Sequence, residues 1–270
     1  MNFKEKLSKI VQKNNSLLCV GLDTDKEKIP KFLFESSKDP YFEFNKSIID
    51  ATKDLVCAYK LNMAFYEFFG KEGFDLLEKT INYIPNKIVI ILDGKRNDIG
   101  NTARKYAQSL FETLNADAVT INPYLGIDGI KPFLEYKDKC SFILCRTSNS
   151  SARDFQDIES KNVPLYQTVA NKIKDWNSYR NCGAVVGATY PDELNIIRAI
   201  LGEDIPILIP GIGAQGGDVE STVKNGTNKD GEMAVIVSSR SIIYAGKDED
   251  FSELSKKAAI SLRDEINKYR

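Results

Sequence analysis

Eight short apolar runs recur along the chain. They are Leu17–Leu22 (LLCVGL), Leu55–Leu61 (LVCAYKL), Lys87–Leu92 (KIVIIL), Ala116–Ile121 (ADAVTI), Ser141–Cys145 (SFILC), Gly183–Gly187 (GAVVG), Ile205–Ile209 (IPILI) and Met233–Val237 (MAVIV). Helix-like segments separate most of them. Continuous apolar runs suit parallel strands covered on both faces, and alternation of strand with helix implies βα units. Eight such units over residues 1–270 predict a single (β/α)8 TIM barrel, with a doubly wound open sheet as the competing arrangement. No Gly/Ser tract, Pro-rich tract or low-complexity block marks a linker. The first residues (MNFKEKLSKIVQKNN) are basic and amphipathic but lack a long apolar region and a cleavage site, so they read as a first helix rather than a targeting peptide. No apolar stretch reaches the ~20 residues that span a bilayer, so no membrane association is expected.

In a parallel barrel, chemistry sits at the carboxyl ends of the strands. The residues just past each run are charged or hydroxylated, whereas the runs themselves are mostly apolar. They include Asp23, Lys60, Asn62, Asp93, Lys95, Thr147, Ser148, Asn149, Pro210 and Arg240. The densest group is Leu92-Asp93-Gly94-Lys95-Arg96-Asn97-Asp98-Ile99-Gly100-Asn101-Thr102, which lies between the third run and the helix-like TARKYAQSLFETL. Residues two apart in a strand share a face, so Asp93 and Lys95 should point the same way. Asp98 falls where a helix N-cap belongs, with Thr102 one turn further on. On an open surface such a string would be a solvated ion-pair cluster worth about 0–1 kcal/mol. Its place at a strand end favours a site instead.

Pro210–Gly217 (PGIGAQGG) follows the seventh run. Its glycines would let backbone N–H groups approach an anion, a helix N-terminus just beyond would add a favourable dipole, and Arg240 lies just past the eighth run. Barrels often hold phosphate between these two loops, and a guanidinium matches phosphate oxygens. The loop is not a Walker loop, nor a dinucleotide fingerprint at the first βα turn. Thr147-Ser148-Asn149 could read the edge of a planar base, or could simply cap a turn. Lys60 could snorkel or pair with Asp93. Asp23 could accept hydrogen bonds from sugar hydroxyls or cap a helix.

Composition narrows the chemistry. The net charge of −1 argues against a nucleic-acid footprint. The absence of histidine removes the commonest general base and metal ligand, and with it Ser-His-Asp and Cys-His mechanisms. Five cysteines without a C-x-x-C pair, mostly in or beside apolar runs, suggest a reducing compartment and a cytoplasmic location.

Taken together, these residues resemble the orotidine 5′-phosphate decarboxylase family over essentially the whole chain. ILDGKRNDIGNTA looks like the family signature, with its D-K-x-x-D-I-x-x-T core. GLD, YKLN, RTSN, PGIGAQGG and SSRSIIYA follow in family order, and the last two look like a divergent branch found in some bacteria and protists. The resemblance implies decarboxylation of orotidine 5′-monophosphate to UMP and CO2, the last step of de novo pyrimidine synthesis, without metal or cofactor. It implies a homodimer with sites at the interface. Asp93 and Lys95 would act with Asp98, while Ile99 and Thr102 would come with Asp98 from the partner subunit. Lys60 would link the charged array to the ribose, and Asp23 would bind ribose hydroxyls. Thr147 or Ser148 would contact the pyrimidine, with Asn62 and Pro210 among the substrate-binding residues. Gln215 and Arg240 would hold the phosphate. Gly94 departs from the small or apolar side chain expected between Asp93 and Lys95. At about 0.5–1 kcal/mol, a strand glycine would loosen the array. Ser239 stands where many relatives have glycine before the arginine. Two other readings keep the barrel: a Mg2+-dependent sugar-phosphate decarboxylase or aldolase, and a nucleotide sensor without turnover.

Overall fold

Each of the eight apolar runs contributes one strand. The computed structural model describes residues 1–212 and 217–270. Strands β1 (Leu18–Gly21), β2 (Ala58–Asn62), β3 (Val89–Arg96), β4 (Ala118–Ile121), β5 (Cys140–Arg146), β6 (Cys182–Val186), β7 (Ile207–Pro210) and β8 (Ala234–Ser238) close into a barrel. Every neighbouring pair is parallel, and β8 returns to β1. The strands β1, β4, β6 and β8 are buried along their whole length, as doubly covered parallel strands should be. The fold is the predicted (β/α)8 barrel.

The amino end of the barrel is closed by the helix Phe3–Asn14. A reciprocal capping box between Asn2 and Glu5 starts that helix, and the Phe3 ring packs edge-on against Phe142 of β5 at 5.7 Å. The carboxyl end is therefore the open one. A buried arginine, Arg198 in the helix Pro191–Leu201, ties the outer layer together. It donates to the carbonyls of Gly202, Ile205, Gly226 and Met233 at 2.7–3.1 Å, and burial lowers its pKa to about 10. The five cysteines are all buried and unpaired. Desolvation pushes the Cys57, Cys145 and Cys182 thiols up to about 12. No helix among the described residues is long and apolar enough to cross a membrane.

Three details depart from the sequence expectations. β3 runs on through Asp93-Gly94-Lys95 to Arg96 rather than ending at Leu92. There the pairing slips: the step from Leu92 to Arg96 on β3 is matched by only Val119 to Ile121 on β4, so the Asp93–Lys95 stretch bulges out of the ladder. The helix-like run after it divides into an α-helix, Gly100–Gln108, and a π turn, Ser109–Thr113. A small antiparallel hairpin, Glu159–Ser160 with Val163–Pro164, lies between β5 and its helix. Two-residue strands of this kind carry no apolar period that would announce them.

Candidate active site

Pairing register brings the charged residues together. Gly21 pairs with Lys60, and Asn62 pairs with Asp93, so the exits of β1, β2 and β3 lie side by side. Lys60 Nζ reaches Asp23 at 3.4 Å and Asp93 at 3.3 Å, and Lys95 Nζ reaches Asp93 at 2.7 Å. The result is an alternating row, Asp23–Lys60–Asp93–Lys95. Three of its members are nearly buried, while the Lys95 side chain remains 49% exposed and lines a cavity of about 430 Å³.

Electrostatics favour the charged forms of Asp93 and Lys60. Burial by itself would raise the Asp93 pKa. The ammonium groups of Lys60 and Lys95 and the Thr120 hydroxyl outweigh it and hold Asp93 at about 2. Burial likewise opposes the Lys60 charge, and the Asp23 and Asp93 carboxylates overcome it, keeping Lys60 above the ordinary lysine range.

The alternation argument brought Asp93 and Lys95 to one side, but the chain reaches that result by another route. Lys95 has φ = 47°, in the left-handed region that costs a non-glycine residue about 1–2 kcal/mol. The bulge is held by Thr120 of β4. Its hydroxyl accepts from the Lys95 N–H at 3.0 Å and donates to Asp93 Oδ1 at 2.7 Å. Sequence reading missed Thr120. The available signal was a lone hydroxyl near the carboxyl end of the run ADAVTI. A Cβ at Gly94 would stand 3.2 Å from Met63 Cγ and 3.3 Å from Arg96 Nε. The glycine lies beside Arg96, whose side chain pairs with Glu67 and lies over the Tyr106 ring.

Asp23 is fixed through its backbone. Tyr66 donates to the Leu22 carbonyl at 2.9 Å. The Tyr244 hydroxyl accepts from the Asp25 N–H at 2.6 Å and donates to the Asp23 carbonyl at 2.8 Å. The Asp23 carboxylate faces Lys60 rather than a helix N-terminus.

The same cavity is lined by Asn62, Thr147, Ser148, Asn149, Pro210 and Arg240, over an apolar floor that includes Leu144, Val185, Leu208 and Val237. Asn62 also caps the short helix Met63–Glu67 by accepting from the Ala64 N–H. Gln215 lies outside the described residues. The helix Val219–Gly226 follows the glycine loop, and Asp218 caps it by accepting from the Ser221 N–H at 2.7 Å. Asp98, Ile99 and Thr102 do not join the cavity of their own chain. Among the described residues Asp98 accepts only from the adjacent Ile99 N–H, and Ile99 rather than Asp98 occupies the N-cap position of Gly100–Gln108. Ile99 is 56% exposed, and Thr102 is exposed. Among the described residues no cluster of three or more Cys, Asp or Glu side chains is arranged to hold a metal ion.

An Asp–Lys row, a polar turn and an arginine thus surround one mouth of the barrel. The model of the Orotidine 5′-phosphate decarboxylase / HUMPS family matches residues 16–253. Orotidine 5′-phosphate decarboxylase from Cellvibrio japonicus is 51% identical over 99% of this chain and 98% of its own length. The Dehalococcoides mccartyi enzyme is 47% identical over 100% and 99%. The structure of Leishmania donovani OMP decarboxylase superposes with a TM-score of 0.86 at 37% identity, covering 100% of this chain and 98% of that one. Leishmania donovani UMP synthase gives 0.89 at 38% identity, and the chain spans 56% of it. The chain belongs to the orotidine 5′-phosphate decarboxylase / HUMPS family.

Proposed function

We propose that this chain decarboxylates orotidine 5′-monophosphate to UMP and CO2, with residues 1–270 working as one barrel unit and Lys95 as the central catalytic group. The observation that carries this reading is the state of Lys95. Its ammonium is held 2.7 Å from a buried carboxylate, on a backbone fixed by Thr120, yet it is half open to the cavity. Loss of CO2 from the pyrimidine leaves a carbanion that the ring cannot readily delocalise. A preorganised cation beside that carbon stabilises the charge as it develops and then delivers the proton.

Opposite charges 4 Å apart attract by about 4 kcal/mol at an effective dielectric near 20. One such pair falls short of the ~8–23 kcal/mol that enzymes typically supply. The remainder comes from binding the distant parts of the substrate, expressed as closure over the site. Arg240 and Gln215 would hold the phosphate, Asp23 and Lys60 the ribose, and the Thr147–Asn149 turn the base. Asn62 and Pro210 would line the rest of the pocket. Asp98, Ile99 and Thr102 would enter from a partner subunit, which accounts for their standing outside their own cavity. No metal or cofactor takes part in this reading, and the enzyme would work in the cytoplasm.

The test is the ultraviolet absorbance of orotidine 5′-monophosphate mixed with the purified protein in EDTA. The orotate band should be lost with the wild type, and Lys95→Ala should abolish turnover while still binding UMP. An unchanged band with folded wild type, or near-normal kcat in Lys95→Ala, would sink the reading.

A further inference from the structure

The loop that carries Asp23 is held by a side chain from the exit of the neighbouring strand. Val20 of β1 pairs with Ser238 of β8, so the two strands leave the barrel side by side. Arg240 opens the short helix Arg240–Ile243, and Tyr244 caps it with its N–H on the Arg240 carbonyl at 3.2 Å. The Tyr244 side chain then crosses to the β1 loop. The Asp25 N–H can only donate, so the phenol oxygen accepts from it at 2.6 Å. The single phenol proton goes to the Asp23 carbonyl at 2.8 Å, which can only accept. Neither bond can be reversed by turning a side chain over.

The tyrosine is set firmly enough to transmit a position. Its ring stacks on Phe44 at 5.7 Å and 18°, and Phe44 stacks on Phe251 at 5.4 Å and 15°. Phe44 is fully buried. Burial raises the phenol pKa, so the proton given to Asp23 stays on the oxygen. On the β2 side of the same loop, the buried Tyr66 donates to the Leu22 carbonyl at 2.9 Å. Asn45 braces that side, donating to Tyr66 at 3.4 Å and Thr80 at 3.1 Å and accepting from Thr24 at 2.5 Å. Of the two tyrosine supports, Tyr244 is the one whose backbone leads to Arg240. Asp23 and Arg240 both line the catalytic cavity.

We propose that Tyr244 is a positioning residue that couples the Arg240 turn to Asp23, so that a ligand's anionic group held at Arg240 fixes the carboxylate that receives the ligand's hydroxyls. The inference rests on the nucleotide reading above, in which Arg240 and Asp23 hold two ends of one molecule. Moving the Arg240 turn moves the Tyr244 main chain, and with it the hydroxyl shared by Asp23 and Asp25. The Asp23 carboxylate is itself paired with Lys60 at 3.4 Å, so the displacement carries into the row of charges. Without the hydroxyl, the Asp25 N–H and the Asp23 carbonyl lose their common partner and the two ends become independent. Changes at residues joined through one network are non-additive, whereas changes at independent residues add.

The experiment is a double-mutant cycle on UMP affinity, run on the full chain by NMR titration, which follows weak binding. Asp23→Asn and Arg240→Gln are measured singly and together, first with Tyr244 in place and then with Tyr244→Phe, which keeps the ring and removes only the hydroxyl. With Tyr244 in place, the double variant should weaken UMP less than the product of the single losses, by at least about fivefold. With Tyr244→Phe the losses should multiply to within about twofold. A merely structural tyrosine would weaken UMP in every member of the cycle and leave the non-additivity unchanged. That result, or additive losses with Tyr244 in place, overturns the proposal. Should Tyr244→Phe not fold, amide exchange at Asp25 in UMP-saturated wild type and Arg240→Gln reads the same link. Exchange at least about fivefold faster in Arg240→Gln supports it, and equal rates overturn it. Turnover of orotidine 5′-monophosphate is read separately. Non-additive UMP binding without turnover keeps this inference and removes the decarboxylase reading; turnover with additive losses does the reverse. A wild type that does not bind UMP overturns both.

Discussion

Asp93 is the residue on which the row of charges depends, because it alone touches both lysines. Its pKa of about 2 against an unfolded value near 3.9 is a statement about stability. A carboxyl whose folded pKa is depressed contributes stability that is fully present above the unfolded value and lost as pH falls through the folded one. The window here runs from about pH 4 down to about pH 2, and the contribution at neutral pH is about 2 kcal/mol. Urea denaturation at pH 7, 4, 3 and 2 should therefore show the wild type losing about 2 kcal/mol more than Asp93→Asn across that window. Other carboxyls with lowered pKa, such as Asp50 and Asp218, titrate in both proteins and cancel. Equal losses in the two would mean that Asp93 gains nothing from its lysines.

At the scale of elements, what was legible in the sequence was whatever repeats. Eight apolar runs specified eight strands because a doubly covered strand has no polar face to hide, and their exits named Asp23, Lys60, Asp93, Lys95, Asn62 and Arg240 as neighbours in one mouth. The illegible part was pairing between elements distant in sequence. Nothing local to ADAVTI says that Thr120 will brace a bulge on β3, and nothing local to RTSN says that Gln156 will return to Thr147. The use of a glycine likewise depends on what faces it, as at Gly21. A Cβ there would stand 1.9 Å from Ser239 Oγ and 2.9 Å from Ser239 Cβ, so the β1 glycine makes room for the serine that precedes Arg240. Gly21→Ala should displace Ser239 and the turn that leads into Arg240, at an overpacking cost of about 1–3 kcal/mol. Ser239→Gly in the same chain should remove that cost. The check is thermal unfolding together with UMP affinity for both single variants and the double variant. A double variant no better than Gly21→Ala would show that the contact is not the constraint.

On the scale of the whole molecule, the string that carries the charged row is divided. Asp98, Ile99 and Thr102 belong to the same sequence string as Asp93 and Lys95, yet they stand outside the cavity that Asp93 and Lys95 line. In the proposed dimer, Ile99, left more than half exposed, would be covered by a second copy of the chain. In a two-fold dimer each subunit gives the partner what it receives, so a site would combine Lys95 from one chain with Asp98 from the other. Mixing then has a defined arithmetic. Lys95→Ala and Asp98→Ala chains should each be inactive alone. After random exchange about half of the dimers are mixed, and each mixed dimer has one site with both changes and one site with neither. About a quarter of wild-type activity should return. With exchange verified by differently tagged chains, no recovery would mean that Asp98 serves its own subunit's site, reached by movement of the Asn97–Gly100 turn rather than across an interface.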